Sequence, residues 1–169
     1  MRKNAFTLVE LLAIISLLGL IALIAIPVIT NTMSKQKEKL YYDQLKQLIL
    51  AAQNWGTDNI EVLSTLNNKC SNDYTITLTQ LRNNTSNTNN AEEFVSYLDK
   101  DFINPKTNEN FLDSEISIKV YKDNKSYIYC IQSSDCMNTK NDEYKNIADS
   151  ICCDGNTIKQ RVNACILNK

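Results

Sequence analysis

Glu10 is the only charged residue between Ala5 and Ile29, a stretch otherwise dominated by Leu, Ile, Val and Ala. An ionised carboxylate inside hydrocarbon is costly, so such a residue usually faces a group of opposite charge. The chemistry that this position indicates is therefore charge pairing. Catalysis is not indicated, because the chain has no histidine and only three glycines. Neither a Ser-His or Cys-His nucleophile nor a glycine-rich phosphate loop can be assembled from such a composition.

Six cysteines are the second group of residues with chemistry of their own. All of them follow the apolar stretch, and an even count in a small exported domain is typical of disulfides. Zinc is the alternative, but the chain has no histidine and no Cys-x-x-Cys pair. Some of the thiols could also be buried and free. The candidates are Cys70, Cys130, Cys136, Cys152, Cys153 and Cys165.

The spacing of the cysteines favours some pairings over others. Cys130 and Cys136 are close enough in sequence to close a short loop. Cys152 and Cys153 are adjacent, which disfavours a bond between them. Each of these two is therefore expected to pair elsewhere, and the sequence leaves two other cysteines as candidates, Cys70 and Cys165.

The apolar stretch has the composition and length of a membrane-spanning helix. From Leu11 to Ile29 the chain carries no charge, and a helix over that run is about 28 Å long, enough to cross the bilayer core. The residues after Ile29 are polar and predict one modest soluble domain. Without Arg2 and Lys3 the chain has 16 basic and 19 acidic side chains, a net charge of −3. This balance does not favour direct binding to nucleic acid.

The residues of this segment leave three interpretations open. A cleaved signal peptide fits the basic start at Arg2 and Lys3. However, the stretch is too long, and Leu23 stands where a cut after Ala25 needs a small residue. An ordinary signal anchor would place Glu10 among the headgroups, at the positive end of the helix dipole. The third interpretation comes from a family resemblance.

Residues 3–29, KNAFTLVELLAIISLLGLIALIAIPVI, resemble the N-terminal signature of type IV prepilins and of the pseudopilins of type II secretion and competence systems. The shared features are a short basic leader, a small residue before Phe6, the run from Phe6 to Glu10, Gly19, and Pro27 near the membrane exit. The family usually has Gly before the cut, where this chain has Ala5. Beyond about residue 30 the resemblance is weaker.

The resemblance implies a route of processing and assembly. A membrane-embedded prepilin peptidase cuts between Ala5 and Phe6 and methylates the new amine of Phe6. Glu10 of one subunit then pairs with the Phe6 amine of a neighbour and sets the register of packed helices. Because Phe6 and Glu10 of one subunit are also one turn apart, the residues alone do not decide between the two pairings. Further partners are other pilin subunits, an assembly platform and an ATPase.

Gly19 and Pro27 each have a functional and a neutral interpretation. Gly19 allows close approach of helices, or is simply tolerated in lipid. Pro27 lacks an N–H, so the helix can loosen or kink there. The resemblance implies that the stretch between Gly19 and Pro27 extends in a filament, and the neutral interpretation is a simple kink at the membrane exit.

The rest of the chain carries helical patterns followed by a hairpin. Residues 35–55 have an apolar stripe at helical spacing, which continues the first helix as far as Gly56. Residues 60–66 and 77–82 are predicted to be short helices. The alternation in EISIKVYKDNKSYIYCIQ predicts a β-hairpin with one buried face, and the chain after Ser133 is rich in turn residues. The stripe consists of Tyr41, Leu45, Leu48, Ala52 and Trp55.

Asp99, Asp101 and Asn104 are a weaker candidate site, because carboxylate and amide oxygens are the ligands that calcium prefers. The segment lacks a glycine turn and a spaced Glu, so a solvated loop is favoured over a metal site. Asn104-Pro105 predicts a turn.

Together these patterns predict an α+β, pilin-like protein whose long N-terminal helix packs against a small antiparallel sheet. The expected divisions are a leader at 1–5, a transmembrane or filament-core helix at 6–30, its amphipathic continuation at 31–56 and a disulfide-containing head at 57–169. The expected function is a structural pilin or pseudopilin subunit in secretion, DNA uptake, adhesion or motility, with no enzymatic activity, metal or cofactor. The head is expected outside the cell membrane. The alternative is a monomeric, single-span extracellular binding protein.

Overall fold

The computed structural model describes residues 7–83, 96–99, 102–124 and 126–167 and has an α+β architecture. The chain forms two compact units, Met1–Glu38 and Lys39–Lys169, and the first helix contributes residues to both. The helices are α1 (Leu8–Asp58), α2 (Ile60–Ser64), α3 (Leu78–Arg82), α4 (Asp142–Ile151) and α5 (Asn156–Leu167). The strands are β1 (Lys69–Ile76), β2 (Ile103–Asn104), β3 (Glu109–Asn110), β4 (Ser117–Asp123) and β5 (Ser126–Gln132).

Within the second unit, α1 supplies one wall of the larger core. All five residues of the predicted stripe are buried, and Tyr42 and Ala51 widen the buried face. The predicted stop at Gly56 is wrong by two residues, because α1 continues to Asp58. Gly56 is an internal helical residue whose missing side chain makes room for Tyr129 and Leu63.

The main sheet has three antiparallel strands in the order β1-β4-β5. The predicted hairpin is confirmed as β4 and β5, with Ile118 opposite Ile131 and Val120 opposite Tyr129. Strand β1 was not predicted, because its polar sequence KCSNDYTI has little alternation to indicate it. A short ribbon of β2 and β3 flanks the predicted turn, which begins directly after Asn104.

The second face of this sheet is also buried along β5, so the prediction of one buried face is wrong. Ile118, Val120 and Ile131 belong to the larger core, which also contains the buried stripe of α1. On the opposite face, Ile128 and Cys130 form a second core with Ile158 of α5 and the Cys70–Cys165 bridge. The alternation of strand side chains allows β5 to supply both cores.

The two C-terminal helices correct the prediction of a turn-rich end. Helix α4 begins after Asn141, whose side chain accepts the N–H of Glu143 at 3.1 Å, and α5 covers the second face of the sheet. Gly155, between them, is needed for close packing. A Cβ there would lie 2.5 Å from the carbonyl oxygen of Asp149. The abundance of Cys, Asn and Asp in this region predicts turns, but the chain forms two short helices there.

We expect Gly56→Ala to lower the free energy of unfolding of the second unit by about 1–3 kcal/mol, the usual cost of overpacking. The new methyl would lie 2.9 Å from Leu63 Cδ1 and closer still to Tyr129 Oη. Burial raises the pKa of Tyr129 to about 12, as expected for a phenol that packs against the core. The measurement is urea denaturation in detergent micelles, followed by the fluorescence of Trp55, the chain's single tryptophan.

The matched control is Gly56→Ala combined with Tyr129→Phe, which removes the closest atom. Since contacting residues do not act independently, the second change should restore part of the lost stability. If Gly56→Ala costs the same stability in the natural chain and in the Tyr129→Phe variant, the close approach of Tyr129 is not the cause.

Candidate functional site: the apolar start of the first helix

Helix α1 begins with a reciprocal cap between Thr7 and Glu10. The backbone N–H and hydroxyl of Thr7 donate to Glu10 Oε2 at 2.9 Å and 2.8 Å, while the N–H of Glu10 approaches Thr7 Oγ1 at 3.3 Å. This is a capping box, which satisfies donors that the first helical turn leaves without partners. Ala5 and Phe6, the predicted processing site, lie outside the described residues.

The cap gives Glu10 a second role, in addition to the charge pairing predicted from the sequence. The signal was present, because Thr-x-x-Glu before an apolar run is a capping-box pattern. The carboxylate stabilises the start of its own helix through one oxygen, Oε2. Any role in subunit pairing must therefore be separated experimentally from the role in capping.

The surface of α1 between Leu8 and Ile29 is apolar around the whole helix. Every Leu, Ile and Val in this segment is exposed, for example Leu8 at 80% and Ile24 at 74%. A helix that is apolar on all sides requires an apolar environment from outside the chain. By length and composition this helix could span a membrane.

The hydroxyl groups of this segment, and of the helical turn that follows it, have partners within the helix. Ser16 Oγ donates to the carbonyl of Leu12 at 2.8 Å, and Thr32 Oγ1 donates to that of Val28 at 2.9 Å. Such bonds satisfy hydroxyl groups without water, as a hydrocarbon environment requires. The polar atoms of the helix are therefore compatible with burial in lipid or among other helices.

Gly19 and Pro27 both lie inside α1. A Cβ at Gly19 would meet no described atom within 4 Å, the helix's own backbone aside, so no contact within the chain requires glycine there. The chain is helical on both sides of Pro27 without interruption. The hydroxyl of Thr30 donates to the carbonyl of Pro27 at 3.0 Å. Loosening at Pro27 in a filament stays a prediction.

All six cysteines are paired, which confirms the prediction of disulfides. The bonds are Cys70–Cys165, Cys130–Cys153 and Cys136–Cys152. The predicted Cys130–Cys136 loop is wrong, and neither of the adjacent cysteines pairs with Cys70 or Cys165.

The position of the adjacent cysteines explains their pairing. Cys152 lies beside Ile131 at the edge of β5, and the N–H of Cys153 donates to the carbonyl of Ile131 at 2.9 Å. Neighbouring residues of extended chain point to opposite faces of a sheet. Cys152 accordingly belongs to the larger core with Cys136, and Cys153 packs against the second core, which contains Cys130.

Comparison of the chain with protein-family models, with curated proteins and with solved structures found no match.

Asn104, from the calcium candidate, is used inside the fold. It is buried, its side-chain oxygen accepts the N–H of Lys106 at 2.9 Å, and its carbonyl accepts the N–H of Asn108 at 2.8 Å. The side chain therefore shapes the turn between β2 and β3, which corrects the expectation of a solvated loop at this residue. Asp101 lies outside the described residues.

A polar cleft of about 450 Å³ opens between the start of β4 and the end of β5. Three carboxylates, those of Asp113, Glu115 and Asp154, line it. Two of these already have partners. Asp113 accepts the N–H of Thr79 at 3.1 Å, and Asp154 lies 3.5 Å from the ammonium of Lys159.

Proposed function

We propose that this chain is a structural subunit, a type IV pilin or pseudopilin, that assembles into a filament through the first part of α1. The observation that carries the proposal is a helix of about 33 Å, from Leu8 to Ile29, whose large apolar side chains are all exposed and whose one charge is at its start. Such a surface is suited first to lipid and then to a bundle of identical helices.

Assembly would exchange one apolar environment for another. In the membrane the segment is solvated by acyl chains, and in a filament by the same segment of neighbouring subunits. Since lipid is as apolar as leucine, hydrophobicity does not drive this transfer, and close packing and specific polar contacts must do so. Gly19, which no contact within the chain requires, is available for close packing between helices.

Glu10 would supply the specific polar contact. Cleavage after Ala5 creates a positive amine on Phe6, and Glu10 of a neighbouring subunit is its proposed partner. A misaligned subunit would leave both charges unpaired in an apolar bundle, which is strongly unfavourable. One axial stagger is therefore selected over the others.

The same proposal places the C-terminal head outside the membrane, where an oxidising compartment allows three disulfides to persist. The partners are a prepilin peptidase, an assembly platform with its ATPase, and further subunits. The chain would be a substrate of the peptidase and have no enzymatic activity of its own.

The N-terminus of the mature protein tests the proposal directly. In cells that contain a prepilin peptidase, we expect the mature chain to begin at N-methylated Phe6, as measured by mass spectrometry of the N-terminal peptide. Ala5→Gly supplies the residue that the family usually has and should be cut at least as completely. Ala5→Leu should retain the leader, because a bulky side chain replaces the small one.

Detection of intact Met1 in the natural chain and in Ala5→Gly would contradict the proposal and support a plain membrane anchor.

The second candidate function is a membrane-anchored binding protein, and the polar cleft of the head is the feature that would serve it. Its volume is in the range of ligand sites, but such sites are mostly apolar, whereas this cleft is polar. Two of its carboxylates are already engaged within the head. The filament function is therefore better supported.

A further inference from the structure

The three disulfides are fully nested along the chain. The first cysteine pairs with the sixth, the second with the fifth and the third with the fourth. The sequence separations are 95, 23 and 16 residues. Cys130 and Cys136, which are only six positions apart, are not paired with each other.

In the unfolded chain, cysteines close in sequence meet more often than distant ones, which favours pairings other than the native ones. The effective concentration of two linked groups falls roughly as the −3/2 power of the length between them. Cys130 and Cys136 therefore meet about 4 times as often as Cys136 and Cys152, and about 60 times as often as Cys70 and Cys165. The first bridge that chain statistics favour is absent from the folded head.

We propose that oxidative folding passes through a transient Cys130–Cys136 bridge, which the thiols of the adjacent pair Cys152-Cys153 then resolve by disulfide exchange. The adjacent pair suits this task because, in the folded head, Cys152 is bonded to Cys136 and Cys153 to Cys130, so one member of the pair matches each sulfur of the local bridge. One of its members packs on each side of the sheet. The proposal does not depend on filament assembly.

The exchange conserves atoms and electrons. The thiolate of Cys152 attacks Sγ of Cys136, the Cys136–Cys152 bond forms, and the electron pair of the broken bond leaves on Cys130 as a thiolate. The Cys130 thiolate takes up a proton from solvent, and Cys130 and Cys153 then lose two electrons and two protons to an external disulfide, which becomes two thiols. Attack of Cys153 on Cys130 is the equivalent step, and it releases the Cys136 thiolate instead.

Burial sets the time at which the exchange can happen. Cys130, Cys136 and Cys152 are each no more than 1% exposed in the folded head, and Cys153 is partly exposed. Because exchange requires the attacking thiolate to reach the sulfur, it must precede docking of α4 and α5 on the sheet. The native bridges are then protected from further exchange.

The test is an oxidative refolding time course of the full chain in detergent micelles. The reduced, urea-unfolded protein is diluted into oxidised glutathione, samples are alkylated at intervals, and tryptic peptides are mapped by mass spectrometry. No Lys or Arg separates Cys130 from Cys136, so the local bridge is closed within one peptide, residues 126–140. The native bridges Cys130–Cys153 and Cys136–Cys152 instead join that peptide to residues 146–159.

We expect the closed 126–140 peptide to appear first, about 4-fold or more above the Cys136–Cys152 product, and then to decay. If native bridges form first and the closed peptide never exceeds them, the proposal is wrong.

Two matched double variants test the role of the adjacent pair, and the first does so whether or not it folds. With Cys152→Ala and Cys153→Ala, the Cys130–Cys136 bridge should form and persist as the final product. With Cys70→Ala and Cys165→Ala, it should form and disappear as in the natural chain. Cys130 and Cys136 remaining as thiols in the first variant would overturn the proposal. A local bridge that persists in the second variant, while Trp55 fluorescence shows a folded head, would also overturn it.

Discussion

Glu10→Gln is expected to insert into the membrane normally and to reduce filament assembly at least about tenfold. Gln can replace Glu in a capping box, so the hydrogen bonds from Thr7 are retained while the negative charge is lost. If charge pairing with the Phe6 amine of a neighbour selects the stagger, the neutral side chain cannot do so. The measurement is the amount of subunit in sheared filaments relative to the amount in membranes.

Thr7→Ala is the complementary control. It removes the capping hydroxyl and leaves the charge of Glu10 in place, so assembly should stay near the natural level. The opposite pattern, with Glu10→Gln assembling and Thr7→Ala failing, would assign Glu10 to helix capping and exclude the pairing role. The two substitutions thus separate functions that Glu10→Ala would remove together.

Removal of the outermost bridge, by Cys70→Ala with Cys165→Ala, is expected to cost the second unit about 4–5 kcal/mol. The estimate follows from the loss of chain entropy when a loop of 95 residues is closed in the unfolded state. The bridge also lies within the second core, beside Ile128 and Ile158, so its loss loosens the contact of α5 with the sheet. Urea denaturation under non-oxidising conditions, followed by Trp55 fluorescence, measures the change.

Removal of the innermost bridge, by Cys136→Ala with Cys152→Ala, is the matched control. Its loop spans 16 residues, for which the same relation gives about 3 kcal/mol. A larger loss for the inner pair than for the outer pair would show that local packing, and not loop closure, dominates the stabilisation. Trp55 is a suitable probe in both cases, since it is buried and stacks on Tyr74 with ring centroids 5.7 Å apart.

The outer and inner bridges stabilise different cores, one on each face of the sheet. The amphipathic part of α1 covers one face, while α5 and the Cys70–Cys165 bridge cover the other. The second core depends strongly on its cross-links, because it consists of five buried residues, three of which are cysteines. The stability of the head therefore depends on oxidation.

The sequence by itself determined the local elements of this protein. The apolar run, the helical stripe from Tyr41 to Trp55 and the alternation of β4 and β5 are repeated patterns, and each reports the environment of one element directly. The presence of disulfides followed from the even number of cysteines. This prediction does not require knowing which cysteines are close in the fold.

The tertiary structure alone decided what depends on contacts between distant segments. The second buried face of the sheet could not be predicted, since α5 carries only a weak apolar pattern and its partner strand β1 is polar. The disulfide pairing was equally hidden, because spacing favours Cys130 with Cys136, whereas the fold brings Cys152 and Cys153 to opposite sides of β5. Sequence distance governs encounters in the unfolded chain, and packing governs which of them survive in the folded one.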